Sequence, residues 1–265
     1  AGARSAFNAP AGTLRRLIDR TIFAIASETS RYAINGLLMK RDGKKLEMVA
    51  TDGRRLALCR ATIKAAGGEG DKVSCIVPRK ALGLFQRLAG DPESNVRVAI
   101  TDNRIFFAFD DGPEGAKEDA KKHPVATLSS ALVEGAFPPY EDVIPKDQDR
   151  RITAAREEFI RAVRQAAVLT NEESRGVRMA FNKKAKSAKI TSRAPEMGES
   201  EIDLDLTGFE GDDLEISFNP GYLADALKTM DEPEVLIELK AANKPGIIKA
   251  GNDFLYVVMP VNLPA

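Results

Sequence analysis

The sequence predicts an α+β fold of two similar domains, each with two helices packed on antiparallel sheets. Three observations predict it. A weak internal repeat recurs at an offset of about 142 to 144 residues. Each half carries two segments of helical period, and the paired segments open on similar words. Between the helices lie short alternating runs of strand length. Helices grouped with many antiparallel strands make an α+β layout, and 265 residues suffice for two ordinary domains.

The first helix is predicted from about Pro10 to Ala26. Leu14, Leu17, Ile18, Ile22 and Ile25 form one apolar stripe there. Asn8 and Pro10 stand where a cap and a first-turn residue belong, and Arg15, Arg16 and Arg20 fall off the stripe. Its counterpart is expected from about Ala154 to Leu169, with Phe159, Val163 and Ala166 inward and Arg161 and Arg164 outward. The second helix of each half opens on a proline, in Ile76-Val77-Pro78-Arg79-Lys80 and Phe218-Asn219-Pro220-Gly221-Tyr222. Proline is tolerated at a helix start because its missing N–H has no intrahelical partner there. Ala81, Phe85 and Leu88 match Leu223, Leu227 and Met230 as inward positions.

Leu46, Met48 and Ala50 alternate with polar residues, Asp52-Gly53 marks a turn, and Leu56 and Leu58 resume, which is a hairpin signal. Val96–Ile100 and Val235–Leu239 are expected to be equivalent strands. The polar, Pro-bearing segment Val143–Asp149 is the expected linker, giving domains 1–146 and 147–265. Residues Asp110 to Lys122 are rich in Gly, Lys and Glu without periodicity, as a surface insertion would be.

Composition narrows the function. Two cysteines, Cys59 and Cys75, are too few for a disulfide framework or a four-cysteine zinc site and read as core fillers of a reducing compartment, the cytoplasm. The single histidine, His123, excludes paired-histidine metal sites and weakens Ser-His or Cys-His catalysis. Thirty-nine basic residues balance 39 acidic ones, whereas a protein holding DNA by charge alone should be clearly basic. A protein that encloses DNA needs only one positive face. No apolar run reaches the length of a membrane span, and the first residues lack the apolar core of a signal peptide. No cofactor and no metal is expected. Asp110, Asp111, Glu114, Glu118 and Asp119 form the one conceivable metal cluster, but they are interleaved with Lys and Gly without ligand spacing.

Several words stand in one order over nearly the whole chain: Ser30-Arg31-Tyr32-Ala33-Ile34-Asn35-Gly36, Val49-Ala50-Thr51-Asp52-Gly53-Arg54-Arg55-Leu56-Ala57, Ile76-Val77-Pro78-Arg79-Lys80, Phe137-Pro138-Pro139-Tyr140, Asn171-Glu172-Glu173-Ser174-Arg175-Gly176-Val177-Arg178 and Tyr256-Val257-Val258-Met259-Pro260. In these words the chain resembles the bacterial sliding clamps, the beta subunit of DNA polymerase III. That family has three similar domains per subunit, and the resemblance covers only the second and third, so a truncated chain of clamp middle and C-terminal domains is expected. The resemblance implies the DNA-clamp fold and a processivity factor without catalysis of its own. Such a protein encircles duplex DNA and tethers the replicative polymerase, the clamp loader and repair polymerases through linear peptide motifs.

Three sets of residues follow from the resemblance. The family's peptide pocket would fall on Ile34, Thr51, Gly53, Arg54, Arg55, Leu56, Pro138, Val143, Asn219, Tyr222, Val257, Val258, Met259 and Val261. Aliphatic residues with one flexible Met and polar edges suit a peptide bearing leucine and an aromatic anchor. Arg31, Tyr32, Arg79 and Lys80 would face DNA, with Arg15, Arg16, Arg20, Arg87, Arg161 and Arg164 as further cations. Val168, Leu169, Glu196, Glu199 and Glu201 would form the ring interface, where the full-length protein associates with itself. The chain departs from the family at Asp142 and Asn262, which stand where basic residues are usual. Two other readings of the same residues remain open: a standalone two-domain peptide-binding adaptor that does not encircle DNA, and a ring of three two-domain chains like the clamps of archaea and eukaryotes.

Overall fold

The structure is a computed structural model and describes residues 5–28, 32–64, 72–113, 124–170, 176–194 and 198–263. Its contacts divide the chain into two compact units. One comprises Ala1–Gly53 and Ala57–Pro139, the other Arg54–Leu56 and Tyr140–Ala265.

The first unit opens on a strand, β1 (Ser5–Pro10), which leads directly into α1 (Ala11–Asp19). Then come β2 (Gly36–Asp42), β3 (Lys45–Thr51), β4 (Arg55–Thr62, whose Arg55 and Leu56 count with the other unit), β5 (Lys72–Pro78), α2 (Arg79–Leu88), β6 (Ser94–Ile100), β7 (Arg104–Pro113) and β8 (Ala126–Ala131). One sheet has the order β1-β6-β7-β8; the other strands follow the order β4-β3-β2-β5. Pairing is antiparallel, with Phe7 opposite Val98 and Leu38 opposite both Val49 and Ile76. The two helices pack on each other and reach strands of both sets, α1 on β1, β3 and β6, α2 on β5 and β8. Leu14, Leu17 and Ile18 of α1 and Ala81, Leu82 and Phe85 of α2 are buried. The Phe85 ring lies 5.0 Å from that of Phe107, edge-on, a geometry favoured by the aromatic quadrupoles.

Several expectations need correcting here. The first helix is shorter than the stripe suggests: it ends at Asp19, and Ile22–Ala24 form a separate turn of 3-10 helix. Asn8 is not a cap but a strand residue opposite Arg97. Arg20 is buried at 2% exposure, so it is not a cation on an open helix face. Leu88 is 44% exposed, unlike its counterpart Met230 at 2%. Asp110 belongs to β7, where it accepts from Arg97 and Asn95 at 3.0 Å, and is no part of an aperiodic loop. The remainder of that segment from 114, with His123, lies outside the described residues.

The second unit repeats the plan. It contains a 3-10 turn (Tyr140–Val143), β9 (Arg150–Ala155), α3 (Arg156–Ala167), β10 (Val177–Asn182), β11 (Ser187–Ala194), β12 (Gly198–Asp205), β13 (Gly208–Glu210), β14 (Leu214–Phe218), α4 (Pro220–Leu227), β15 (Glu234–Leu239), β16 (Gly246–Ala250) and β17 (Phe254–Val258). The strand orders are β12-β11-β10-β14 and β13-β9-β15-β16-β17. Phe159, Ile160, Val163 and Ala166 bury one face of α3, while Arg161 and Arg164 stay exposed, as the period predicts. The α4 start is capped by Asn219, whose side-chain oxygen accepts from the Gly221 N–H at 2.9 Å, with Pro220 in the first turn. Ser192 Oγ donates to the Ala166 carbonyl at 2.6 Å, satisfying an orphan acceptor at the end of α3.

Candidate functional site

The second unit builds a surface around the end of β17. Tyr256, Val257 and Val258 are buried at 0%, 4% and 1% exposure, and the next residue, Met259, emerges at 44%. Its backbone N–H donates to the Arg54 carbonyl at 2.9 Å. The tail then crosses β14, where the Val261 N–H donates to the Ser217 carbonyl at 2.9 Å. Gly176 leaves room for the tail's side chains there, because a Cβ would stand 2.6 Å from Leu263 Cδ2 and 2.7 Å from Val261 Cγ2.

Arg55 and Tyr222 form the polar side of this surface. The Arg55 guanidinium lies 4.4 Å from the Tyr222 ring centroid, within cation–π range, and donates to Asp225 Oδ2 at 2.8 Å. Tyr222 stands in the first turn of α4, whose start Asn219 fixes. Its carbonyl accepts from the Tyr256 hydroxyl at 2.9 Å, which fastens that turn to β17. Leu56 is buried, and Val143, in the 3-10 turn, is 56% exposed. Thus Arg54, Arg55, Leu56, Val143, Asn219, Tyr222, Val257, Val258, Met259 and Val261 all belong to the second unit. Ile34, Thr51, Gly53 and Pro138 belong to the first. There the Thr51 hydroxyl accepts from the Gly53 N–H at 3.1 Å, and Gly53 takes a φ of +86°, which L residues rarely adopt. Asp225 and Gly176 complete the surface, although sequence reasoning does not single them out. A carboxylate three residues after a half-buried aromatic on one helix is the signal that points to Asp225.

Of the residues expected to face DNA, Tyr32, Arg79 and Lys80 are exposed, and Arg31 lies outside the described residues. Arg79 and Lys80 occupy the first turn of α2, which holds no acidic residue. Two cations there oppose the helix dipole, at a cost of about 0.3–1 kcal/mol each. Arg15 pairs with Asp19 at 3.7 Å and Arg161 with Glu158, so both are partly neutralised on their own helices. At the expected ring interface, Val168 is 69% exposed at the end of α3 and Leu169 is half-buried. Glu199 and Glu201 lie on the edge strand β12, paired with Arg193 and Lys189; Glu196 lies outside the described residues. The Glu201 hydrogen bond holds the Lys189 ammonium above its ordinary range. Among the described residues no group of three or more His, Cys, Asp or Glu is placed to hold a metal ion.

Two α+β units of one plan, each with a helix pair on antiparallel strands, make up the DNA-clamp fold. The family description "DNA polymerase III beta subunit, central domain" matches residues 8–117, and "DNA polymerase III beta subunit, C-terminal domain" matches residues 141–262. The beta sliding clamp of Pseudomonas putida is 37% identical over 252 residues, covering 94% of this chain and 64% of that protein. That of Escherichia coli K12 is 35% identical over 259 residues, covering 97% and 65%. The crystal structure of the sliding clamp from Pseudomonas aeruginosa superposes with a TM-score of 0.87 at 32% identity, covering 99% of this chain and 68% of that one. The clamp from Bacillus subtilis gives a TM-score of 0.86 at 27% identity, covering 98% and 65%. The chain belongs to the DNA polymerase III beta subunit family and corresponds to its central and C-terminal domains. It spans just under two thirds of the length of these curated relatives.

Proposed function

We propose that this chain is the tethering part of a DNA sliding clamp, a non-catalytic processivity factor. Its Met259 surface holds polymerases, clamp loader and repair proteins by short linear peptides, and the full ring encircles duplex DNA in the cytoplasm. The observation that carries the proposal is Met259 itself, 44% exposed after three buried residues and anchored through its backbone to Arg54. A large flexible apolar side chain held in place at the surface supports a docking role, since it can repack around different ligands.

The energetics fit exchangeable partners. Burying a leucine or phenylalanine of the peptide contributes about 1.5–3 kcal/mol per anchor. Ordering a flexible peptide offsets much of that, leaving binding near the micromolar range, which is about −8 kcal/mol. Fluorescence polarisation of a labelled peptide bearing leucine and phenylalanine tests the reading. Met259→Ala is expected to weaken binding about tenfold, or about 1.4 kcal/mol, without lowering the melting temperature. Unchanged affinity would remove Met259 from the site.

DNA is held more loosely. Exposed Arg79, Lys80 and Arg164 give scattered, non-directional phosphate contacts, which position a duplex without reading bases. Sliding requires that lack of direction.

A further inference from the structure

We infer that Asp225 is a positioning residue that sets the charge preference of the Met259 surface, by holding the Arg55 guanidinium over the Tyr222 ring and cancelling its charge there. The inference rests on the peptide-binding reading and adds which residue a bound peptide carries beside its apolar anchors.

The geometry is specific. Arg55 Nη1 lies 2.8 Å from Asp225 Oδ2, and the guanidinium carbon 4.4 Å from the Tyr222 centroid. The arginine side chain is 11% exposed and that of Asp225 38%. Tyr222 and Asp225 are three residues apart on α4, so they share a helix face and arrive as one unit. The Asn219 cap and the Tyr256 hydrogen bond to the Tyr222 carbonyl hold that turn in place. Arg55 is therefore received between a ring and a carboxylate that are both already placed. A cation so covered has lost most of its hydration, and its charge is matched by an acid from the protein.

The consequence for a ligand follows. On the peptide-binding reading Met259, Arg55 and Tyr222 belong to one surface, and a peptide held at Met259 runs beside this pair. A peptide carboxylate approaching Arg55 meets a charge already matched by Asp225, and the Asp225 carboxylate adds like-charge repulsion. A neutral side chain meets no such cost. The surface thus prefers a neutral residue beside the leucine and phenylalanine anchors, and neutralising Asp225 turns Arg55 into an acid receptor.

Two labelled peptides test this, identical in their anchors and differing only by glutamine or glutamate at the neighbouring position. Affinities are measured by fluorescence polarisation for the unsubstituted chain, Asp225→Asn, Asp225→Glu and the double variant Asp225→Asn with Arg55→Ala. The unsubstituted chain is expected to bind the glutamine peptide at least as tightly. Asp225→Asn is expected to shift the ratio toward the glutamate peptide about five- to tenfold, and about 0.5 M salt to reduce the shift only in part, because a covered cation is screened less than an exposed one. Asp225→Glu restores the original ratio, and the double variant loses the gain; a merely structural role for Asp225 would weaken both peptides alike. A ratio unchanged in Asp225→Asn, with both peptides still bound by the unsubstituted chain, overturns the inference and leaves the peptide-binding surface standing. Failure of the unsubstituted chain to bind either peptide overturns that reading and this inference with it.

Discussion

Gly176 is the residue on which the tail depends most directly. A methyl group at its Cα would fall within 2.7 Å of the side-chain methyls of both Val261 and Leu263, well inside contact distance, so these side chains would have to turn away or the tail would have to lift. Gly176→Ala is expected to cost about 1–3 kcal/mol of stability in urea unfolding, as overpacking does, and to weaken peptide binding as Met259 shifts. Equal stability and affinity for the two chains would show that the tail relaxes without consequence. Residue-scale burial is the least legible level of the sequence. Arg20 reads as an off-stripe cation, yet it is buried at the end of α1, where its backbone N–H still donates to the Arg16 carbonyl at 3.1 Å. Arg41 is also buried, donating to Ser5 Oγ at 2.9 Å and to the Gly43 carbonyl at 3.0 Å, and lying over the Phe7 ring. Its partners on β1 stand more than thirty residues earlier, so no local pattern announces them.

At the scale of elements, helix periodicity is well marked in the sequence, and strands preceding helices are not. Leu14, Leu17, Phe159 and Val163 fall inward as spaced. The strands β1 and β9 escape notice because each runs into its helix without a break, and their six residues carry only a short alternation. The α2 start yields a prediction with two opposed readouts. Replacing Arg79 and Lys80 by Glu puts acids at the positive end of the helix dipole and is expected to raise stability by about 0.3–1 kcal/mol per site. The same change is expected to weaken DNA binding and flatten the slope of log K against log salt by about 0.9 for each phosphate no longer neutralised. Thermal melting and salt-titrated DNA binding measure the two; a stabler chain with undiminished DNA binding would take α2 out of the DNA-facing set. At the entry to β9, Asp149 accepts from Lys240 Nζ at 2.8 Å and from Arg150. The Lys240 hydrogen bond is the main cause holding this carboxyl below its ordinary value of 3.8. A depressed folded value means the stabilisation is present above 3.8 and is lost as pH falls through the folded value. Asp149→Asn is accordingly expected to melt lower at neutral pH, with the difference closing below that range. A gap independent of pH would assign the loss to packing instead.

For the whole molecule, charge balance is the governing quantity. With 39 basic and 39 acidic residues there is no net field to draw in DNA, so affinity must come from local contacts. The chain is expected to bind duplex weakly, without sequence preference, and to release it as salt rises from about 50 to 200 mM. Tight binding to one sequence at the higher salt would contradict a sliding role. The family and the doubling of the plan are readable in the chain itself, since six short words and two helix pairs stand in order along it. By itself the sequence determined the α+β class, the internal duplication, the helix faces and the words that mark the family, because these depend on period and on neighbours in the chain. Only the tertiary structure decided that Asp225 meets Arg55 across 170 residues, that Gly176 makes room for the tail, and that Arg20 and Arg41 are buried. Those contacts join distant segments, and their energies depend on distances that local spacing does not encode.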